Sequence, residues 1–392
     1  MIQERTQVGI VGAGPAGLTL ARLLELEGIE SVVLEDRSRD YVEHRIRAGV
    51  LEQRSVDLLV SAGVGERLQR EGIVHHGIEI QFDGERHRVP LSELADGRSI
   101  VIYGQTEVVK DLIAARLDSG LPLWFEVEDV SVHALDSSSP RIRFRRAGDQ
   151  IELACDAIAG CDGFHGVCRP SIPAGVLTSF SREYPYAWLG ILAEVAPSND
   201  ELVYAHHERG FSLLSLRSPE LSRLYLQVMP EEEIGEWSED RIWSELQTRL
   251  GLDGWSLAEG PILEKGVTGM RSYVVEPMQY GRLFLAGDAA HIVPATGAKG
   301  LNLALADVRL LADALIGWYT TGETNLLDAY SSNCLRRVWR AEHFSWWMTS
   351  MLHRVPGGDP FDLKLQLSQL RYLVSSRAAA TSLAENYVGL EL

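Results

Sequence analysis

A chain of 392 residues, 45% hydrophobic and 23% charged, is long enough to divide into two or three subdomains with sizeable cores. Its formal net charge of −18 excludes a general affinity for nucleic acid or anionic lipid, and no apolar run reaches the ~18 residues that a membrane span needs. Met1-Ile2-Gln3-Glu4-Arg5-Thr6 lacks the basic-then-apolar order of a signal peptide. Cys155, Cys161, Cys168 and Cys334 lack the C-x-x-C spacing of a zinc or dithiol site, so a cytoplasmic chain with buried free thiols and no metal is expected.

The apolar run Val8-Gly9-Ile10-Val11 breaks into Gly12, Gly14 and Gly17 and then into a helical pattern, the grammar of a strand, a tight turn and a helix. Gly12 allows the turn, Gly14 lets backbone approach a pyrophosphate, and Gly17 lets the helix pack closely on the strand. The phosphates then sit at the helix N-terminus, where free N–H groups favour anions. Ser31-Val32-Val33-Leu34-Glu35 is the second strand, and Glu35 stands at the ~20-residue distance at which a carboxylate meets a ribose hydroxyl. Arg45 and Arg47 flank this fold, where a pyrophosphate would pair their guanidinium groups. Residues 51–70 are predicted as a helix and 73–82 as a strand carrying His75 and His76. Gly104-Gln105-Thr106-Glu107 opens another helix. Strand patterns at 123–127, 141–144 and 151–153, with a hairpin tip at Ser137-Ser138-Ser139-Pro140, form an antiparallel excursion before the buried strand Ala157-Ile158-Ala159-Gly160 runs into Cys161-Asp162-Gly163.

From about 180 to 271 the pattern becomes a β-rich lobe with several aromatic residues, Trp188, Tyr204, Phe211 and Tyr225 among them. Strand period two places Leu213, Ser215 and Arg217 on one face, and Arg223, Tyr225 and Gln227 on one face of the return strand. A hydroxyl, a guanidinium and a phenol converging in this way suit a small carboxylate. After a surface helix at 241–250, the segment 281–291 is a buried strand reaching Gly287-Asp288, with Asp288 at the carboxyl edge as a second ribose ligand. Pro294 to Asn302 opens an apolar helix through Leu315, with Lys299 placed to stabilise an anion at its N-terminus. The remainder is helical, and its apolar cluster Phe344 to Met351 suits core packing or an oligomer interface equally.

The glycine triplet, Cys161-Asp162-Gly163 and Gly287-Asp288, in that order and spacing, resemble the FAD-dependent aromatic hydroxylases. The likeness runs to the C-terminus and is most specific over Arg45 to Gln53, Tyr103 to Glu107, Phe284 to Asn302, Phe344 to Ser350 and Ala384 to Leu390. It implies an α/β chain: an FAD-binding Rossmann-like βαβ fold over 1–179, a β-rich substrate lobe over 180–272, and a return segment with a helical C-terminal region over 273–392. It also implies FAD, NADH or NADPH as reductant, O2, and hydroxylation of 4-hydroxybenzoate to 3,4-dihydroxybenzoate through a flavin hydroperoxide, in a homodimer. The alternatives are a hydroxylase of 4-aminobenzoate or 3-hydroxybenzoate, or a flavin-binding redox sensor without turnover.

By matching position, the resemblance gives Ser215, Arg217 and Tyr225 the substrate carboxylate. Tyr204 and Tyr387 lie along the phenol and connect it through solvent to His75, whose ordinary titration near neutrality suits the outer end of a proton relay. Pro294 and Ala295 stand beside the substrate hydroxyl, Ala295 replacing the second proline that relatives usually carry. Gly12, Gly14, Ala16, Gly17, Glu35, Arg45, Gln105, Asp162 and Asp288 hold FAD. Arg47, Arg223 and Asn302, with Lys299, Gly300 and Leu301 at the helix N-terminus, attend the flavin ring. His165 and Arg271 match nicotinamide-nucleotide positions, to which Arg45 and the segment Asp36, Arg37 and Tyr41 are added. Asp36 beside Glu35 is expected to repel a 2′-phosphate, so that NADH serves at least as well as NADPH.

Overall fold

The computed structural model describes residues 1–45 and 49–389. Val8–Val11 (β1), buried along its length, turns through Gly12 into the helix Pro15–Leu26 (α1), and Ser31–Leu34 (β2) returns parallel to β1 with Val8 opposite Ser31. Pro15 opens α1 because its missing N–H falls where a helix has no partner for one. The helix Gln105–Asp118 (α2) and the strand Ala157–Gly160 (β3) follow, β3 pairing parallel with β1 on one side and with Leu283–Leu285 on the other. Strands buried on both faces are what a parallel sheet under helices requires.

The β-rich lobe is built on Thr178–Ala193 (β4), Val203–Ala205 (β5), Ser212–Ser218 (β6), Leu221–Val228 (β7) and Ile262–Glu276 (β8). Its sheet runs in the order His291–Ile292, β8, β4, β7, β6, β5, Ile78–Phe82, Glu85–Val89, so it draws strands from both sides of the 180–272 span. Side chains alternate across it. Leu189, Leu214, Leu224 and Leu226 face the helix Glu239–Leu250, while Trp188, Tyr204, Leu213 and Tyr225 face the opposite way. That second face is covered by the helices Tyr330–Leu352 and Arg377–Val388, which contribute Phe344, Met348, Leu383 and Tyr387. Before them, the helix Gly300–Thr321 (α3) ends at Gly322, whose φ of 76° terminates it in the left-handed region. Tyr330–Leu352 is α4 and Arg377–Val388 is α5.

Several boundaries differ from the sequence reading for local reasons. The helix expected over 51–70 is two, Gln53–Ser61 and Glu66–Glu71, split at Gly63, whose φ is 73°. The strand expected over 73–82 breaks at His76 and Gly77: Ile73–His75 pairs with Ile100–Ile102, whereas Ile78–Phe82 joins the lobe sheet. The 281–291 segment is extended only over Leu283–Leu285 before the short helical turn Gly287–Ala289. The Phe344–Met351 cluster divides by face, Phe344, Met348 and Met351 in the core and Trp346 exposed. Among the described residues, no helix is long and apolar enough to cross a membrane.

Candidate active site

At the carboxyl ends of the parallel strands, the three glycines separate by physical role. A Cβ on Gly12, whose φ is 104°, would overlap the Cys161 carbonyl, and one on Gly17 would overlap that of Gly12, so both are required by packing. A Cβ on Gly14 would meet no protein atom within 4 Å, so its bare face opens onto space that the protein leaves for a ligand. Ala16 is buried in the first turn of α1. Glu35, at the end of β2, accepts hydrogen bonds from the N–H groups of Ala13 (2.8 Å) and Arg37 (3.0 Å), while burial and the neighbouring Asp36 raise its pKa. Asp162, beyond β3, accepts from the Cys168 N–H at 2.8 Å through Oδ2, leaving the buried Oδ1 with no partner among the described residues. Burial raises its pKa as well. Asp288 is exposed on its helical turn, which Asp307 anchors by accepting from the Gly287 N–H (2.9 Å) and bonding His291 Nε2 (2.6 Å). An open glycine face at a helix N-terminus, with three carboxylates at neighbouring strand ends, fits a dinucleotide rich in hydroxyl groups such as FAD. Gln105 is half-buried at the start of α2, and Arg45 is exposed, its carbonyl accepting from Thr106 Oγ1. Arg47 lies outside the described residues.

Lys299 and Asn302 need correction. The Lys299 ammonium, expected to face an anion, is buried and donates to Glu52 Oε1 (2.7 Å) and to the Tyr387 carbonyl (2.9 Å). Burial lowers its pKa against the opposing pull of Glu52. Arg337 donates to the other oxygen of Glu52 at 2.7 Å. The Asn302 amide is likewise engaged: its oxygen accepts from the Glu52 N–H and from Ser55 Oγ, and its nitrogen donates to the carbonyls of Val50 and Ala298. Their side chains tie the start of α3 to Val50–Glu52 and to α5. What the start of α3 still offers an anion is backbone, at Gly300 and Leu301.

On the lobe's inner face, register puts Leu213 opposite Tyr225 and Ser215 opposite Arg223, with an irregularity between Leu216 and Ser218 that leaves Arg217 without a paired residue before Ser218 meets Leu221. The Arg217 guanidinium is largely buried and makes no hydrogen bond or ion pair among the described residues, and burial lowers its pKa. Arg223 reaches the Tyr225 hydroxyl at 3.4 Å, and its Nη1 is buried without a partner. Ser215 is buried nearby in sequence and register, held only by a long 3.4 Å bond to the Leu216 carbonyl. Gln227 leaves the expected group: its side chain bonds the N–H groups of Phe211 and Arg354, each at 3.0 Å.

Across the same aromatic cluster, the hydroxyls of Tyr204 and Tyr387 are hydrogen-bonded to each other and fully buried, and burial raises both pKa values. His75 is buried with neither ring nitrogen partnered among the described residues, and burial lowers its pKa to about 4, so the expectation that it titrates near neutrality does not hold. Pro294 is buried and Ala295 exposed, at the start of the turn Ala295–Gly297. Sequence reasoning gave no role to Trp188, which packs on Tyr225 (4.8 Å) and Phe211 (5.3 Å) and donates through its indole N–H to His353 Nε2 (2.7 Å). The structure also groups His165 and Arg271. Arg271 stacks on Phe164 at 3.8 Å, and His165 meets the same ring edge-on at 5.0 Å. Asp36 and Arg37 form an exposed pair at 3.5 Å, with Arg37 over the Tyr41 ring at 5.5 Å. Among the described residues, no contact joins that group to His165.

A family model described as an FAD binding domain matches residues 5–345. The chain is 51% identical over 98% of its length to a p-hydroxybenzoate hydroxylase of Acinetobacter baylyi, covering 96% of that protein. It is 26% identical over 83% of its length to a 3-(3-hydroxy-phenyl)propionate/3-hydroxycinnamic acid hydroxylase of a Mycobacterium species, of which it spans 56%. Among solved structures, a p-nitrophenol 4-monooxygenase from Pseudomonas putida superposes with a TM-score of 0.85 over the whole of both chains at 18% identity. A ternary complex of aklavinone-11 hydroxylase with FAD and aklavinone superposes at 0.74, covering 90% of this chain and 70% of that one at 20% identity. These two structures bear on the fold.

Proposed function

Because the chain belongs to the FAD-dependent aromatic monooxygenases, we propose that it hydroxylates 4-hydroxybenzoate to 3,4-dihydroxybenzoate, using FAD, O2 and a nicotinamide reductant. The observation that carries the substrate is one aromatic-lined face of the lobe bearing two opposite chemistries. At one end stand Arg217, unpaired among the described residues, and the Tyr225 hydroxyl; at the other stands the buried Tyr204–Tyr387 hydroxyl pair. A carboxylate answers the first and a phenol the second. In this reading Arg217 forks onto the carboxylate, with Ser215 and Tyr225 filling remaining lone pairs. Tyr204 hydrogen-bonds the phenol, and Trp188 and Phe211 wall the ring between the two ends. Glu35, Asp162, Asp288 and Gln105 hold FAD, whose flavin, when bound, supplies the hydride acceptor and the activation of O2. His165 and Arg271, both packed on Phe164, take the reductant, and the carboxylate of Asp36 favours NADH at least equally over NADPH.

For assembly, the reading is a homodimer. Trp339 and Trp346 stand exposed on α4, and Phe361, Leu365 and Tyr372 on the helix Pro360–Ser375, apolar groups at helical spacing that a second copy would cover. The four cysteines are free and buried, which suits a reducing cytoplasm.

The deciding experiment is oxidation of NADH and of NADPH in the presence of 4-hydroxybenzoate, 3-hydroxybenzoate and 4-aminobenzoate, with products separated by chromatography. Stimulation by 4-hydroxybenzoate with formation of 3,4-dihydroxybenzoate is the expected result. Faster turnover of either other arene reassigns the substrate, and no product from any would favour a flavin sensor. A preference for NADPH above about tenfold would remove the role given to Asp36.

A further inference from the structure

Gly104 caps α2 at φ −56° and ψ 136°, an extended conformation open to any residue, so the backbone does not call for glycine here. What calls for it is one side chain. A Cβ built on Gly104 would overlap Nη1, Cζ and Nη2 of Arg217 and nothing nearer. The turn itself is fixed from behind. Gly49 packs so closely on it that a Cβ there would overlap the Tyr103 carbonyl, and the Tyr103 N–H donates to the Gly49 carbonyl at 3.1 Å. The Tyr103 hydroxyl donates to Asp111 at 2.6 Å, and Arg67 clamps Asp111 (2.8 Å) and Glu107 (2.6 Å) on the same helix. If the two surfaces are forced apart, the flexible end of Arg217 yields before the turn does.

We propose that Gly104 is a specificity-determining position for the carboxylate of the substrate: its bare Cα is the seat of the Arg217 guanidinium, and a side chain there moves the guanidinium off its target. The inference rests on the reading of Arg217 as the carboxylate anchor. A fork of two parallel N–H donors tolerates little displacement, and a shift of about 1 Å in a positioning group is enough to lose orders of magnitude. Gly104 touches no substrate in this account; it is a positioning residue that acts through Arg217.

The test uses the FAD-loaded enzyme and a double-mutant cycle of Gly104→Ala and Arg217→Ala. Dissociation constants for 4-hydroxybenzoate, and for 4-hydroxybenzamide as the uncharged probe, are read from the perturbation of flavin absorbance, beside the FAD dissociation constant. Gly104→Ala should weaken 4-hydroxybenzoate about tenfold or more while changing 4-hydroxybenzamide and FAD less than about twofold, and should add nothing further once Arg217 is alanine. Unchanged 4-hydroxybenzoate affinity in Gly104→Ala, with Arg217→Ala impaired, overturns the inference and leaves the anchor reading intact. A tenfold loss that persists in the double variant also overturns it, since the effect then bypasses Arg217. Unchanged affinity in Arg217→Ala overturns the anchor reading and this inference together. Should Gly104→Ala fail to retain FAD, the double variant, where the overlapping guanidinium is gone, must recover it, and failure to do so refutes the seat.

Discussion

The Glu52 cluster makes a prediction whose sign depends on which partner is removed. Glu52 and Lys299 are both almost wholly buried, their charges 2.7 Å apart, and Arg337 holds the second carboxylate oxygen at 2.7 Å with 15% of its side chain exposed. Glu52→Gln leaves the Lys299 ammonium in the interior without a counter-charge, its partners then an amide oxygen at position 52, the Tyr387 carbonyl at 2.9 Å and the ring faces of Phe344 and Tyr387 at 5.1 and 5.6 Å. Removing one partner of a buried pair destabilises by about 3–5 kcal/mol, and the ring contacts, already made with Glu52 in place, offset none of that. Lys299→Met leaves the Glu52 carboxylate still paired with Arg337, and the thioether fills most of the vacated volume, so a loss of about 1 kcal/mol is expected. Glu52→Gln should therefore be the less stable variant by roughly 2–4 kcal/mol. Urea unfolding of both variants at saturating FAD, followed by far-ultraviolet circular dichroism, measures the difference. If Lys299→Met proved as destabilised as Glu52→Gln, the claim that Arg337 and Lys299 divide one carboxylate between them would be wrong.

Arg217→Lys keeps the charge and loses the fork, so the dissociation constant for 4-hydroxybenzoate should rise by about an order of magnitude, and an unchanged titration would contradict the proposed anchor. Tyr204→Phe and Tyr387→Phe each remove one hydroxyl at nearly constant volume, so hydroxylation should slow in stopped flow while FAD stays bound; unchanged oxygen transfer in both would dispose of the tyrosine pair. Burial lowers the His353 pKa from 6.5 to about 3, so the unfolded chain binds the extra proton first and stability falls as pH drops from 6.5 toward 3. His353→Gln should flatten that fall between about pH 6.5 and pH 4, and an equally steep acid limb in the variant would show that another group sets it.

How much of this was legible in sequence follows from the range of each interaction. The glycine turn, Glu35 and the parallel strands are written locally, because turn geometry and apolar runs act over a few residues. The hairpin that carries Ser215 and Tyr225 was legible for the same reason, since strand period fixes which side chains share a face, whereas the irregularity at Arg217 was not. Lys299 was misjudged because its partner is 247 residues away, and Glu52, inside a recognised segment, showed no local sign that two cations converge on it. Gln227 obeyed strand period yet was claimed by Arg354, just beyond the end of α4, a tertiary contact that periodicity does not carry. His75 was identified by residue type, but its pKa is set by burial, and burial comes from elements brought together across the whole chain.

On the proposed reading, burial of the tyrosine pair makes the substrate, rather than the protein, the group that loses the proton. A phenol has an ordinary pKa near 10, and burial raises Tyr204 and Tyr387 above that, so neither tyrosine competes as an anion. With Lys299 already neutralised by Glu52, no free lysine faces them to stabilise a tyrosinate among the described residues. Each hydroxyl nevertheless has one donor and two acceptor sites, so a proton received on one side can leave from the other by rotation, without either ring becoming charged. His75 suits the outer end of that proposed path for a reason other than the one its type suggests. Neither of its buried nitrogens has a partner among the described residues, and a pKa of about 4 means that the imidazolium, once formed, gives its proton up at neutral pH instead of holding it. On that proposal His75 is a conduit rather than a reservoir, and the resting charge at the phenol end would stay unchanged while protons pass.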